Sequence, residues 1–156
     1  MLKHFHQEGQ TTCGAAAFRI LLSDRVEITE KQAKKECRTG KDRKRGTFGL
    51  DVLSALRKRN IEAYYINLDV DFEEYSRWLL LNSIHRKLYL SCHFIDRACG
   101  GKGEQKGRGD AHRHHSIIAS DGWIYDPSED KPCPIEAYFD IYSKKLVIKT
   151  MILTEA

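Results

Sequence analysis

Gln7-Glu-Gly-Gln-Thr-Thr-Cys13-Gly-Ala-Ala-Ala-Phe-Arg-Ile-Leu-Leu22 joins a polar, glycine-containing lead to a run of helix formers with apolar side chains on most sides. Alanine and leucine have high intrinsic helix propensity, and a helix apolar nearly all round is one buried in a core. The helix begins at or just before Cys13. A thiol there sits beside backbone N–H groups that lack intrahelical partners and at the positive end of the helix dipole, both of which favour thiolate. Gly14 leaves room for another backbone to approach, and the Cys13 amide is placed to donate to a developing oxyanion. Gln7, six residues upstream, carries a side-chain amide suited to be a second donor. A buried cysteine at a helix start, without chemistry, is the structural alternative.

Downstream of that helix the segment from Lys31 to Arg45 turns basic, with eight Lys or Arg against Glu36 and Asp42. Its first part reads as a solvated helix face and the rest as a loop broken by Gly40 and Gly46. Thr47 can cap a second long helix in which Leu50, Leu53 and Leu56 recur every three residues, ending near Asn60. Ile61 to Leu68 reads as a strand. Asp71 with Glu74 suggests a capping pair for a helix that passes Trp78 and Leu81, with Trp78 to Leu81 as core, and reaches about His85. A strand from Leu88 to Ile95 follows. Residues 96 to 114 hold five glycines and little to bury, which predicts a long loop of a kind that is often functional.

His115-Ser-Ile-Ile-Ala-Ser-Asp-Gly-Trp-Ile-Tyr-Asp126-Pro127 is the second informative stretch. Asp121-Gly122 suits a type I′ turn, so two antiparallel strands are predicted with His115 at the start of one and Asp126 just past the end of the other. The pairing brings imidazole and carboxylate together, the geometry of a general base and the group that orients it. The structural alternative makes Asp126-Pro127 a turn and His115 a polar strand-start residue. A short helix near Ile135 to Tyr142 and a strand from Leu146 to Leu153 complete an α+β order, helices first and sheet later.

Composition narrows the class. The chain of 156 residues and 18.0 kDa is 41% hydrophobic, and is expected to form a single domain, residues 1–156, able to bury a core without staples. No apolar stretch approaches the ~20 residues that span a bilayer, and the N-terminus lacks a signal-peptide apolar segment, so a soluble, cytoplasmic protein without a membrane partner is expected. The net charge of +4 is too mild to demand a polyanion, and the basic segment lacks aromatic residues for base stacking, so no nucleic-acid partner is expected. Five cysteines, an odd number without a CxxC pair, read as free thiols. Cys92, Cys99, His93, His112, His114 and His115 fit no compact zinc spacing, and Cys92 and His93 would point to opposite faces of a strand, so neither metal nor cofactor is expected. Nothing in the sequence specifies an oligomeric state.

Cysteine first, histidine far downstream and then an orienting polar residue is the chain order of papain-like cysteine peptidases. The finer pattern resembles the bacteriocin-processing, double-glycine leader peptidases and their stand-alone relatives, over nearly the whole chain. It rests on Gln7 six residues before Cys13-Gly14 with its small-residue helix, on Gly46-Thr47 before the Leu50 helix, on Ile61-Glu-Ala, and on His115 with two branched apolars after it and Asp126-Pro127. The resemblance implies a papain-like α+β fold with N-terminal helices on an antiparallel sheet. It implies Cys13 as nucleophile, His115 as general base and then acid, Asp126 as orienting residue and Gln7 as oxyanion donor.

Gly14 and His114 are candidate substrate contacts. His114 also competes for the base role, which the family spacing assigns to His115. The substrate implied is a protein or peptide, cut at a peptide or isopeptide bond after small residues such as Gly-Gly. Thr12 stands where that family often has aspartate, the link from His115 to Asp126 is short, and loop 96 to 114 is particular to this chain. Amide transfer or deamidation by the same thiol, and a catalytically idle binding module, are the competing functions.

Overall fold

The structure is a computed structural model that describes residues 1–8, 12–39, 49–94, 114–142 and 146–155. The basic stretch beyond Thr39, Thr47, Cys99, His112 and all of loop 96 to 114 except His114 lie outside the described residues.

The N-terminal part forms α1 (Cys13–Leu22), α2 (Glu30–Glu36) and α3 (Gly49–Lys58). α1 is buried along its length except at Arg19, as its all-round apolar sequence predicts. Arg19 bends back, donating from Nε to the Ile28 carbonyl at 2.8 Å while its guanidinium lies 3.9 Å over the Phe5 ring. α2 starts at a full capping box, in which the Thr29 side chain accepts from Gln32 N and the Gln32 side chain accepts from Thr29 N. Its buried residues are Glu30 and Ala33. In α3 the buried stripe is Val52, Leu53, Ala55 and Leu56, while Leu50 is 62% exposed. The three-residue leucine spacing marks the helix, and its inner face takes Leu53 and Leu56 but not Leu50.

β1 (Ala63–Asp71), α4 (Phe72–Ser83) and β2 (Arg86–Phe94) follow. Asp71 occupies the N-cap of α4, but its side chain makes no capping hydrogen bond, so the expected capping pair with Glu74 does not form. Phe72, Leu79 and Ser83 are buried in α4; Trp78 and Leu80 are half-buried and Leu81 is 59% exposed, so the Trp78–Leu81 run is core only in part. Four consecutive helical residues span most of the helix circumference, and one face must meet solvent.

β3 (His114–Ser120) and β4 (Trp123–Tyr125) form the predicted hairpin, with positive φ at both Asp121 (51°) and Gly122 (80°) as a type I′ turn requires. A two-residue strand β5 (Cys133–Pro134), too short to show in the sequence, precedes α5 (Ile135–Tyr142) and β6 (Leu146–Glu155). The strands form one sheet in the order β1-β6-β2-β3-β4-β5, antiparallel at every step.

Helices cover both faces. α1, α2 and α3 pack with Tyr89, Ile118, Tyr125 and Ile152 on one face, and Phe72, Leu79, Ile135 and Tyr138 of α4 and α5 pack with Leu90, Ile117, Ile148 and Met151 on the other. Burial on both faces explains why β2 and β3 are buried almost continuously instead of at alternate residues. One feature of the register builds the site: β4 pairs β3 only from Ile118 to Ser120, so the end of β3 that carries His114 and His115 lacks a β4 partner.

Candidate active site

Continuing the Ile118–Tyr125 register by one residue sets Asp126 opposite Ile117, on the same face as His115. The side chains meet there: His115 Nε2 donates to Asp126 Oδ1 at 2.5 Å, with both residues almost wholly buried. His115 also hydrogen-bonds the Cys13 side chain at the start of α1. Its ring therefore lies between a thiol and a carboxylate, stacked on Phe94 with centroids 5.2 Å apart. Cys13, from the N-terminal helix, and His115 and Asp126, from the two arms of one hairpin far downstream, come together.

The carboxylate is heavily braced. Asp126 Oδ1 also accepts from Ser128 N (2.8 Å) and Ser128 Oγ (2.7 Å), and Oδ2 accepts from Tyr138 Oη (2.8 Å). Burial, the largest influence on Asp126, disfavours its charge. The positive His115 ring and the hydrogen bonds from His115 and Ser128 outweigh it and hold the carboxyl at about 2. Burial likewise opposes the imidazolium of His115, but Asp126, by charge and hydrogen bond, and then Cys13 push its pKa up to about 10. The arrangement can hold a proton on His115 against two acceptors and move it between sulfur and a third atom.

Ser128 and Tyr138 were not singled out from the sequence. Asp126-Pro-Ser128 has the form of an Asx turn, a signal that could have found Ser128. Nothing local marks Tyr138, which reaches Asp126 from α5.

Gln7 is buried, and its backbone N–H donates to the Pro127 carbonyl at 2.8 Å, one residue beyond Asp126. Further contacts fasten the same segment: His4 Nε2 lies 2.7 Å from the Glu129 carbonyl, and Lys3 N donates to Ser23 Oγ at 2.7 Å. The N-terminal strap is thus tied to the turn that supplies the carboxylate and to the far end of the Cys13 helix.

Gly14, next to Cys13, is buried, with its carbonyl 3.5 Å from Tyr89 Oη, which donates to Ser116 Oγ at 3.0 Å. His114 occupies the alternate face of β3 from His115 and pairs across the ladder with His93, ring centroids 5.6 Å apart. Burial keeps the His114 imidazole below its usual pKa, and its Nε2 has no hydrogen-bond partner among the described residues. The Cys13 charge acts on His114 in the opposite direction, raising its pKa. Cys92, opposite His115 in the ladder, is fully buried, which pushes its thiol pKa well up and leaves it a packing residue.

Among solved structures the chain is similar to the peptidase domain of Streptococcus ComA, a bi-functional ABC transporter involved in a quorum-sensing pathway, with a TM-score of 0.60 and 16% identity over all of both chains. It is also similar to a double-glycine-motif protease from an AMS/PCAT transporter in complex with the leader peptide, with a TM-score of 0.56 and 16% identity over all of this chain and 93% of the other. No protein-family model and no curated protein matches the chain. The expected fold is therefore the observed one. No helix among the described residues is long and apolar enough to cross a membrane.

Proposed function

We propose that the chain is a cysteine peptidase that hydrolyses a peptide or isopeptide bond with Cys13, His115 and Asp126 as its triad. The observation that carries this reading is the His115 ring, buried and hydrogen-bonded on one side to the Cys13 thiol and on the other to the Asp126 carboxylate. A buried carboxylate with four donors turned on it is a fixed negative charge, and it holds the imidazole in one orientation. The Cys13 proton rests on His115 and the sulfur attacks the substrate carbonyl carbon as thiolate.

The tetrahedral oxyanion is held by the Gln7 side-chain amide and the Cys13 N–H at the positive end of α1. His115 then passes its proton to the departing amine as the C–N bond breaks. In the second half His115 takes a proton from water, whose oxygen attacks the thioester carbon, and returns that proton to the sulfur as the C–S bond breaks. Gly14 leaves the nucleophile open to an approaching backbone, and the neutral His114 Nε2 is a donor or acceptor for the bound peptide. The leader peptide held by the double-glycine protease, with the same fold, favours an extended peptide with small residues before the cut.

The test is iodoacetamide alkylation near pH 6 with peptide mapping, comparing the parent with His115→Ala. At that pH an ordinary thiol, of pKa ~8.5, is protonated and slow. Fast labelling confined to Cys13, lost in the variant, is expected, together with cleavage of Gly-Gly peptides that Cys13→Ala abolishes. Slow labelling at every cysteine would refute the activated pair. A product one dalton heavier, without chain cleavage, would replace hydrolysis by deamidation.

A further inference from the structure

Two buried polar atoms on one face of the sheet, His114 Nε2 and Ser91 Oγ, have no hydrogen-bond partner among the described residues. Ser91 is 3% exposed and lies in β2 opposite Ser116 of β3 and Thr150 of β6. His93, two residues further along β2, is opposite His114. Residues paired across a ladder share a face, as do residues two apart on one strand. His114 and Ser91 therefore lie on the face that packs with α1 and α3 through Tyr89, Ile118 and Ile152. A buried polar atom that has lost its water without gaining a bond destabilises the fold, so its presence calls for a reason. Neither atom belongs to the triad, whose His115 occupies the other face of β3.

Two helix starts flank Ser91. On one side the Gly14 carbonyl of α1 lies 3.5 Å from Tyr89 Oη, which bonds Ser116, the cross-strand partner of Ser91. On the other, Gly49 opens α3, and a Cβ there would stand 3.0 Å from Tyr65 Cε2, 3.4 Å from Thr150 Oγ1 and 3.7 Å from Ser91 Oγ. Ser91 thus sits between the start of the helix that carries the nucleophile and the start of α3.

We propose that His114 and Ser91 are specificity-determining residues that read the backbone of an extended substrate peptide at two alternate residues. This rests on the peptidase reading and names how that site selects its substrate. His114 and Ser91 are diagonal neighbours in the β2–β3 ladder, a placement that sets side chains about 7–8 Å apart. Backbone groups that point the same way along an extended chain recur every second residue, or about 7 Å. The Ser91 hydroxyl and the His114 imidazole, neutral because it is buried, can each donate to a carbonyl or accept from an N–H. A bulky substrate side chain would hold the backbone away from both atoms, whereas glycine lets it approach.

The test titrates a short Gly-Gly peptide into the full chain carrying Cys13→Ala, which removes the nucleophile, by calorimetry. Adding Ser91→Ala or His114→Phe is expected to weaken binding about 2- to 10-fold each. Ser91→Ala should leave the melting temperature unchanged or raise it, because the hydroxyl it removes bonds nothing in the free protein. Esters that replace the peptide's amides one at a time locate the contacts. Without added substitutions, affinity should drop at two positions two residues apart; Ser91→Ala should be insensitive at one of them and His114→Phe at the other. A peptide that does not bind, unchanged affinity in either variant, ester effects that both variants keep, or a melting temperature lowered by Ser91→Ala overturns the proposal. If the chain with Cys13 intact cuts none of these peptides while binding follows the expected pattern, the peptidase reading fails and the two backbone contacts stand.

Discussion

Replacing Tyr138 by Phe tests how Asp126 is kept charged in the interior. The ring stays, with its contact to Phe72 at 5.6 Å between centroids, so no cavity opens. What goes is the hydroxyl that donates to Asp126 Oδ2 at 2.8 Å, between two residues almost fully excluded from water. A hydrogen bond to a charged group is worth about 1.5–3 kcal/mol, and here its loss strands a buried carboxylate oxygen. At about 2–4 °C per kcal/mol for a domain of this size, the melting temperature at pH 7 should drop by roughly 3–12 °C.

The sign of the pH dependence follows from the depressed carboxyl. Asp126 contributes stability that is present above its ordinary 3.8 and is lost as pH falls through about 2. Weakening the carboxylate by 1.5–3 kcal/mol raises that midpoint by roughly one to two pH units. The gap between parent and variant should therefore be widest at neutral pH and should narrow on acidification. Thermal melts of both proteins from pH 2 to pH 7 measure this. A gap under about 1 °C at pH 7, or one that stays constant across the range, would refute the account of Asp126.

Asp126→Asn can no longer meet four donors, and with the imidazole unsupported kcat should fall by ~10²-fold or more, read with saturating peptide. Gln7→Ala should lower kcat by ~10²–10³-fold while Cys13 alkylates at the parental rate, because alkylation forms no oxyanion. Lys87 donates from a buried Nζ to the Leu21 carbonyl (3.1 Å) and to Asp24 (2.8 Å), closing the far end of α1. Lys87→Met should destabilise by about 1–3 kcal/mol in urea titrations, and kcat at 25 °C should be unchanged. His115, raised to about 10, stabilises fully below its ordinary 6.5 and loses that contribution as pH rises through 10. His115→Ala should thus remove the alkaline decline in stability measured by denaturant midpoints between pH 7 and pH 11.

Local stereochemistry made several features legible. Asp121-Gly122 requires left-handed backbone at two consecutive positions, which few residue pairs supply, so the hairpin and with it the approach of Asp126 to His115 were readable from thirteen residues. The Cys13 helix was readable because alanine-rich, all-round apolar sequence suits only a buried helix. α5 was found at its observed bounds, Ile135–Tyr142.

Features set by other elements were not legible. Leu50 and Leu81 repeat with helical spacing, yet both face solvent, because which stripe of a helix turns inward depends on the surface it meets. Asp71 reads as a capping residue, but its side chain does not bond the helix it precedes. Pairing of one thiol, one imidazole and one carboxylate was implied by chain order and turn chemistry. The bracing of that carboxylate by Tyr138 arises where a separate element, α5, is pressed against the turn that carries Asp126. Turn type and helix propensity depend on the backbone of a few neighbouring residues, whereas burial and the charge state of a buried acid depend on every group packed around it.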